Sequence, residues 1–305
     1  MADRHRGQAA SPRAPAVCVV IPVGDVDGLL SRQVAAVLAQ RAPFDFEVVL
    51  SLNTPAAAAR AAIAQVVGAA ADGRLRVVVA GDRRGAAHAR NVGARASAAP
   101  LLAFCDADDE VRPGWLAALV AGLRDWDAVS GHVNELAPAG QQHWRPPATP
   151  GRLPTFLGAP YVLSGNLGIA RRAFADVGGF DETLSRCEDI ALGWSLLRRG
   201  YRLGYVSGAV LDYRHRSGLG ALLRQHYWYG RGMAEVVSRY PLPAPEGHRR
   251  LRGLALVRPN AQAAPFSVPY LLRRASLATG RVVGLLVERR RAAAQPAAHR
   301  DPGAR

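Results

Sequence analysis

The chain contains no lysine: all 39 strongly basic side chains are arginine, set against 24 acids. The formal net charge is +15, but with lysine absent and alanine abundant the choice of Arg over Lys says little about function. Cysteine is scarce, at Cys18, Cys105 and Cys187 only. Three scattered cysteines offer neither a disulfide framework nor a zinc spacing, which fits a reducing compartment. No run of about 18 or more apolar residues occurs, so no helix is expected to span a bilayer. Met1 to Pro15 is polar and Arg-bearing and lacks the apolar segment of a secretory signal. The expectation is a cytoplasmic protein opening on a disordered arm over 1–15. What is present is ordinary for a globular protein: 49% apolar and 21% charged residues, in a chain of 305. That length allows one large domain or two small ones.

The most informative stretch is Leu101-Leu-Ala-Phe-Cys-Asp-Ala-Asp-Asp109. Leu101 to Phe104 reads as a buried strand, and Asp106, Asp108 and Asp109 follow where a strand end meets a loop. Crowded carboxylates repel and call for a positive partner. A hard divalent cation with oxygen ligands, Mg²⁺ or Mn²⁺, is a natural one, since it keeps sites open for phosphate oxygens. Taken alone, an Asp-x-Asp is better read as a solvated acidic turn with one Asp capping the next helix, because such triplets are common by chance.

Around this stretch the chain alternates. Val17 to Val23 is a continuous apolar run, as in a parallel strand buried on both faces. Residues 29–40 carry Leu29, Leu30, Val34, Val37 and Leu38 at helical spacing. Phe46 to Leu50, Arg76 to Ala80 and Leu101 to Phe104 read as further strands. Helices are expected from about Ala56 to Ala71 and from Ala86 to Ala98. The pattern predicts a doubly wound α/β sheet, with ligands beyond the carboxyl ends of its strands. Further on, a helix is expected over Trp115–Leu123, a strand over Ala128–Val133 and a Pro-rich loop over 137–160. A helix should begin at Cys187-Glu-Asp189, and a strand should cover Tyr201–Val206.

Several pieces share an order and spacing with a known family. They are Val-Ile-Pro-Val in the first strand, Ala-Arg-Asn-x-Gly at 89–93 and the Asp-Ala-Asp-Asp loop. Then come Gly-Asn at 165–166, Gly-Gly-Phe-Asp at 178–181, Glu-Asp at 188–189, and His215. Each is weak alone; in this sequence they resemble the inverting family 2 glycosyltransferases of GT-A fold, over roughly 16–240. The resemblance implies a Rossmann-like, mostly parallel central sheet flanked by helices; beyond it, 241–305 is expected to form a basic C-terminal helical extension. It also implies a nucleoside-diphosphate sugar donor, Mn²⁺ or Mg²⁺, and an acceptor that is a glycan, a lipid-linked molecule or a small molecule. On the donor side it places Pro22, Asn53, Asp82, Arg90, Asn91 and Asp106. Asp108 and His215 would hold the metal. Asp189 would be the base that takes the acceptor proton, with Glu188 near the acceptor; Trp194 reads as a core residue rather than an acceptor platform, though both stay open. At a helix N-terminus, Asp189 is expected to stay ionised at neutral pH. One departure is Leu52-Asn53-Thr54, where the family commonly has an Asp for the nucleoside.

The tail is basic: residues 241–305 hold twelve Arg against three acids. Leu271, Ala275, Ala278, Val282 and Leu285 recur at helical steps, so 267–291 reads as an amphipathic helix. It would either lie on an anionic membrane surface, peripheral to the inner face, or pack on the catalytic domain. Gly280 and Gly284 weaken a helix there, and a disordered end is expected after about 292. A nucleic-acid-binding protein is disfavoured by the acids clustered at 106–110 and 181–189. A nucleotidyltransferase would want a Gly-rich basic loop after the first strand, where Val23-Gly-Asp-Val-Asp27 is acidic. A catalytically inactive sugar-nucleotide binder stays open.

Overall fold

The computed structural model describes residues 15–24, 28–54, 63–64, 66–145, 151–243 and 267–294. The N-terminal arm, Asp25 and Asp27, the start of the Ala-rich helix, Pro146 to Pro150 and the end of the tail lie outside the described residues. The strands are β1 (Val17–Val23), β2 (Phe46–Leu52), β3 (Leu75–Val79), β4 (Leu101–Cys105), β5 (Glu110–Val111), β6 (Ala128–Leu136), β7 (Thr155–Phe156), β8 (Ala159–Pro160), β9 (Asn166–Ala170) and β10 (Leu203–Arg214). Between them run α1 (Gly28–Leu38), α2 (Ala86–Arg95), α3 (Trp115–Gly122), α4 (Arg171–Asp176), α5 (Glu188–Arg198), α6 (Leu219–Arg239) and α7 (Val268–Ala294). Residues 66–70 are helical as well, in keeping with the Ala-rich segment.

Eight strands form one sheet in the order β3-β2-β1-β4-β9-β6-β10-β5. The half from β3 to β4 is parallel, as the alternation predicts. β9 runs antiparallel to both β4 and β6, and β6 is parallel to β10. The carboxyl ends of β1, β2, β4 and β10 therefore open on one edge. β7 and β8 pair as a small separate hairpin inside the segment read as loop.

Strand side chains alternate between faces, and β1 shows why its run is apolar without a break. Val17, Val19, Ile21 and Val23 join α1 and α3 through Leu30, Val34, Val37, Trp115 and Leu119. Cys18 and Val20 face the other layer, with Leu102 and Phe104 of β4, Phe174 of α4 and Leu192 and Leu196 of α5. Each fully buried Val, Ile or Leu contributes about 1.5–3 kcal/mol, so the sheet centre is the stable part of the molecule. A third cluster ties the β7–β8 hairpin and α5 to α6 through Phe156, Ile190, Trp194 and Val236.

Two boundaries differ from the sequence reading. β10 does not stop near Val206: its register with β6 shifts between Val206 and Val210, and the strand resumes to Arg214. That bulge carries the chain on to deliver Arg214 and His215 to the ligand edge. The tail helix packs on α6, with Gly280 and Gly284 as its buried residues. A Cβ at Gly280 would strike the Tyr227 carbonyl oxygen, and one at Gly230 that of Leu277. The glycines thus serve close helix approach. The apolar stripe read from the sequence faces outward instead, with Leu271 48%, Val282 58% and Leu285 41% exposed.

Candidate active site

The Asp loop is held from below. Gln33, on the buried face of α1, donates from Nε2 to the Asp106 carbonyl (2.9 Å) and accepts from the Val111 N–H (3.0 Å). Gly165 lies against the Asp106 carboxylate, and a Cβ there would come 2.8 Å from its Oδ2. Arg90, 3% exposed, joins two distant elements. It donates from Nη2 to Asp106 Oδ1 (2.5 Å) and from Nη1 to Glu188 Oε1 (2.8 Å). One guanidinium therefore ties the end of β4 to the start of α5, and its fork geometry suits the pair of carboxylates.

A cavity of about 540 Å³ opens at this edge, within the size range of small-molecule sites. Pro22, Asn53, Arg90, Asp106, Asp108 and His215 all line it, and so do Arg214 and Arg216, which no sequence motif singled out. Acids and arginines thus share one wall, as a phosphorylated sugar ligand with a cation would require.

Asp108 is exposed in the cavity. Both ring nitrogens of His215 are buried without a hydrogen bond, the nearest carboxylate being that of Glu135 at 3.6 Å. Among the described residues, no group of three or more His, Cys, Asp or Glu side chains gathers around a single point. Asp108 and His215 therefore fit a divalent cation only as a part-shell, the remaining positions falling to ligand oxygens. Mg²⁺ and Mn²⁺ accept that division readily. Asp109 neither joins them nor caps α3, whose N-cap is Gly114. It is 2% exposed, accepts from the Arg214 N–H (3.2 Å), and is pushed up to about 9 by burial with Asp106 and Asp108 beside it.

Asp189 corrects an expectation. The Ile190 N–H reaches its carboxylate, and Arg90 also favours the anion, as a helix N-terminus predicts. Desolvation, with Glu188 adjacent, outweighs both and raises the group from 3.8 to about 7. Asp189 is thus poised near neutrality. It does not line the cavity; it stands next to Glu188, one Arg90 bridge from Asp106. The turn leading into it is strained: Cys187, not a glycine, has φ +66° at the N-cap of α5.

Asn91 departs from its expected place, and Trp194 resolves to the core. Asn91 is 5% exposed and away from the cavity lining. Its amide donates to Phe180 O and Glu182 Oε1 and accepts from the Phe180 N–H, so it anchors the Gly-Gly-Phe-Asp segment. Trp194, 1% exposed, stacks on Phe156 at 5.7 Å between centroids and belongs to the core. Asn53 does line the cavity, but its amide latches the next loop, donating to Ala80 O and Arg83 O and accepting from the Gly85 N–H.

Asp82 is far out, its side chain 78% exposed, and pairs with His88 Nε2 at 2.8 Å. His88 Nδ1 meets Glu182 Oε2 at 2.8 Å, a pairing invisible in sequence because the partners lie 94 residues apart. Burial pulls His88 down, but the two carboxylates win and its pKa is raised. Gln33 did leave a trace: it is a polar residue set in the Leu30, Val34, Val37 stripe.

Comparison with known proteins agrees with this geometry. The model of "Glycosyl transferase family 2" matches residues 18–177, more than half of the chain. Over 171 residues the chain is 33% identical to the pre-mycofactocin glycosyltransferase of Mycobacterium tuberculosis, covering 52% of this chain and 36% of that protein. It is 30% identical to the validoxylamine A glucosyltransferase of Streptomyces hygroscopicus subsp. limoneus, covering 63% and 50%. The matches thus span half or less of these relatives' lengths. Among solved structures, a mannosyltransferase from Pyrobaculum calidifontis in complex with GDP-Man and Mn²⁺ superposes with a TM-score of 0.60 at 19% identity, covering 93% of this chain and 77% of that one. S. aureus TarS with UDP-GlcNAc gives 0.51 at 16% identity, covering 74% and 67%. The fold is thus of GT-A type.

Proposed function

The chain belongs to glycosyl transferase family 2, and from that membership we propose that it moves a sugar from a nucleoside-diphosphate donor to an acceptor hydroxyl, with inversion and with the help of a divalent cation. The observation that carries this reading is the single cavity lined by Asp106 and Asp108 together with Arg90, Arg214, His215 and Arg216. A neighbour of the same fold binding GDP-Man and Mn²⁺ supports it.

In this reading the donor lies along the carboxyl edge of β1, β2 and β4. Pro22 and the Asn53-latched loop border it, and Asp82 stands at the outer end, where a base would project. Arg214 and Arg216 face the diphosphate. Asp108 and His215 would hold Mn²⁺ or Mg²⁺, which when bound neutralises charge on the leaving diphosphate. Asp189 takes the proton from the acceptor hydroxyl as its oxygen bonds to the anomeric carbon and the bond to the diphosphate oxygen breaks. Glu188, held by Arg90, keeps the start of α5 in register with the Asp loop.

The test is calorimetry with UDP or GDP, with and without Mn²⁺. Wild type should bind more tightly with the metal, and Asp108→Ala should lose at least about ten-fold of that affinity, the scale of one lost charged contact. Equal, metal-independent binding by both proteins would remove the assignment.

We also propose that the outer face of the docked α7 rests on an anionic membrane surface. Among the described residues no helix is long and apolar enough to cross a membrane. The outward stripe of α7, flanked by exposed Arg274, Arg289 and Arg290, has the character of an interfacial helix instead.

A further inference from the structure

Beyond the cavity, on its α6–α7 side, sits a group of cations with one acid, Glu135, among them. Arg145, in the turn after residues 142–144, is 7% exposed. Its Nε, Nη1 and Nη2 all lack a hydrogen-bond partner among the described residues. Glu135, Tyr213 and Tyr229 are the groups near enough to favour its charge, yet burial prevails and pulls its pKa down. Arg273 comes to the same place from α7, also pulled down by burial, with Nε unpartnered. Its Nη1 donates to His226 Nε2 at 3.2 Å. His226 Nδ1 is 2.9 Å from the Leu222 carbonyl, so the proton sits on Nδ1 and the ring is a neutral acceptor. Burial, with Arg273, Arg145 and His215 nearby, holds His226 down to about 4. His215, with both nitrogens unpartnered, stands between this group and the donor cavity it lines.

A buried guanidinium with no partner is costly, and proteins retain such groups where something else completes them. Arg145 alone offers five N–H donors, more than the four or so lone-pair sites of one carboxylate can take. Two guanidiniums offset by one acid, Glu135, leave one net positive charge, which a phosphate with one to two negative charges and three terminal oxygens can neutralise while accepting from both. Arg145 and Arg273 do not line the donor cavity, so the donor's own diphosphate does not account for them.

We propose that Arg145 and Arg273 bind a phosphate group carried by the acceptor, which makes the acceptor a phosphate-bearing molecule whose hydroxyl is presented beside the donor. The site draws on residue 145 and α7, so it exists only when α7 is docked. That the phosphate belongs to an acceptor rests on the glycosyl-transfer reading; the anion site itself does not.

The experiment uses the full chain, inorganic phosphate as probe, and sodium chloride or acetate at equal ionic strength as controls. Phosphate should raise the melting temperature of wild type, and acetate should not. Arg145→Met should weaken phosphate binding by at least about ten-fold. It should keep affinity for UDP or GDP with Mn²⁺ within about two-fold. Without phosphate it should melt no lower than wild type, since it removes an uncompensated charge rather than a contact. Asp108→Ala should show the reverse pattern, losing nucleotide and keeping phosphate. Equal phosphate binding by Arg145→Met and wild type, or loss of nucleotide together with phosphate in Arg145→Met, would overturn the proposal. Phosphate binding without nucleotide binding in wild type would sink the glycosyl-transfer reading, and with it the word acceptor, while the anion site stood. Vesicles decide the source: Arg145-dependent binding to phosphatidylcholine carrying phosphatidic acid, but not phosphatidylglycerol, marks a lipid phosphomonoester. Arg145-dependent binding of free phosphate alone marks a soluble one.

Discussion

Asp189 is pulled two ways: the first turn of α5 stabilises its anion, and its partial burial favours the acid. With the balance at about 7, a measurable fraction is ionised at neutral pH, which suits the base proposed above. In that role, activity should fall as pH drops below about 7, because the group that would accept the proton already holds one. The stability effect has the opposite sign. Between 3.8 and about 7 the folded state holds a proton that the unfolded chain has released, so this group's contribution to stability declines as pH rises through that window. Asp189→Asn should remove both dependences. Its transfer rate should drop by about 10²–10⁴, the range for losing a general base, while UDP or GDP affinity with Mn²⁺ stays within a few-fold. A pH–rate profile and urea titrations at several pH values read the two effects separately; wild-type turnover by the variant would move the base elsewhere. The sequence placed Asp189 at a helix start but could not show its burial, since the layer over it comes from α6 and the β7–β8 hairpin.

At the scale of elements, the coupling of α7 to the start of α5 runs through α6. Arg239 of α6 pairs with Glu288 of α7 at 2.8 Å and also donates to Thr183 Oγ1 at 3.1 Å. Glu235, 2% exposed, accepts from the Ser185 N–H at 2.8 Å, and Gly232 abuts the Arg186 carbonyl. The strained Cys187 follows at once. Gly280→Val tests the coupling. The added branched carbon would meet a backbone oxygen, Tyr227 O, which no rotamer change can move aside. The expected outcome is loss of amide-exchange protection along α7 and around 183–187, with the strands β1, β2 and β4 still protected. Protection of α7 equal to wild type would mean the helices do not depend on this approach. In the sequence these glycines counted against a helix, because propensity alone prices a glycine in a helix interior as a loss. Only a partner helix reveals the gain, and pattern-reading along one segment has no access to it.

For the molecule as a whole, the parallel half from β3 to β4 was legible, since fully buried strands alternating with helices leave an unmistakable period. The insertion of β9 between β4 and β6 was not, because strand order depends on long-range pairing that residue spacing does not encode. The meeting of Asp106, Asp108 and His215 at one cavity was legible for a similar reason: all three sit at strand ends. The place of Asn91 was not legible because its partner, Phe180, comes from another element, whereas the core reading of Trp194 holds. The tail was read as either membrane-facing or packed, and the structure makes those alternatives compatible. One face of α7 meets α6 through glycines, while Leu271, Val282 and Leu285 on the other meet solvent. A helix so arranged can stay docked and still lie on a bilayer, which would set the donor edge at a fixed height above the lipid. Leu271→Ser, Val282→Ser and Leu285→Ser together should test this without disturbing the fold. All three side chains are exposed, and substitutions at such sites usually change stability by no more than about 0.5 kcal/mol each. The triple variant should keep its melting temperature near that of wild type and retain the Mn²⁺-dependent nucleotide affinity. It should cease to sediment with phosphatidylcholine–phosphatidylglycerol vesicles at low salt, and wild-type binding should weaken as salt screens Arg274, Arg289 and Arg290. If the stripe instead joins two copies of the chain, wild type will sediment as a dimer and the variant as a monomer, with vesicle binding absent from both. Equal vesicle binding by wild type and variant would leave the arginines, not the stripe, as the source of any membrane affinity.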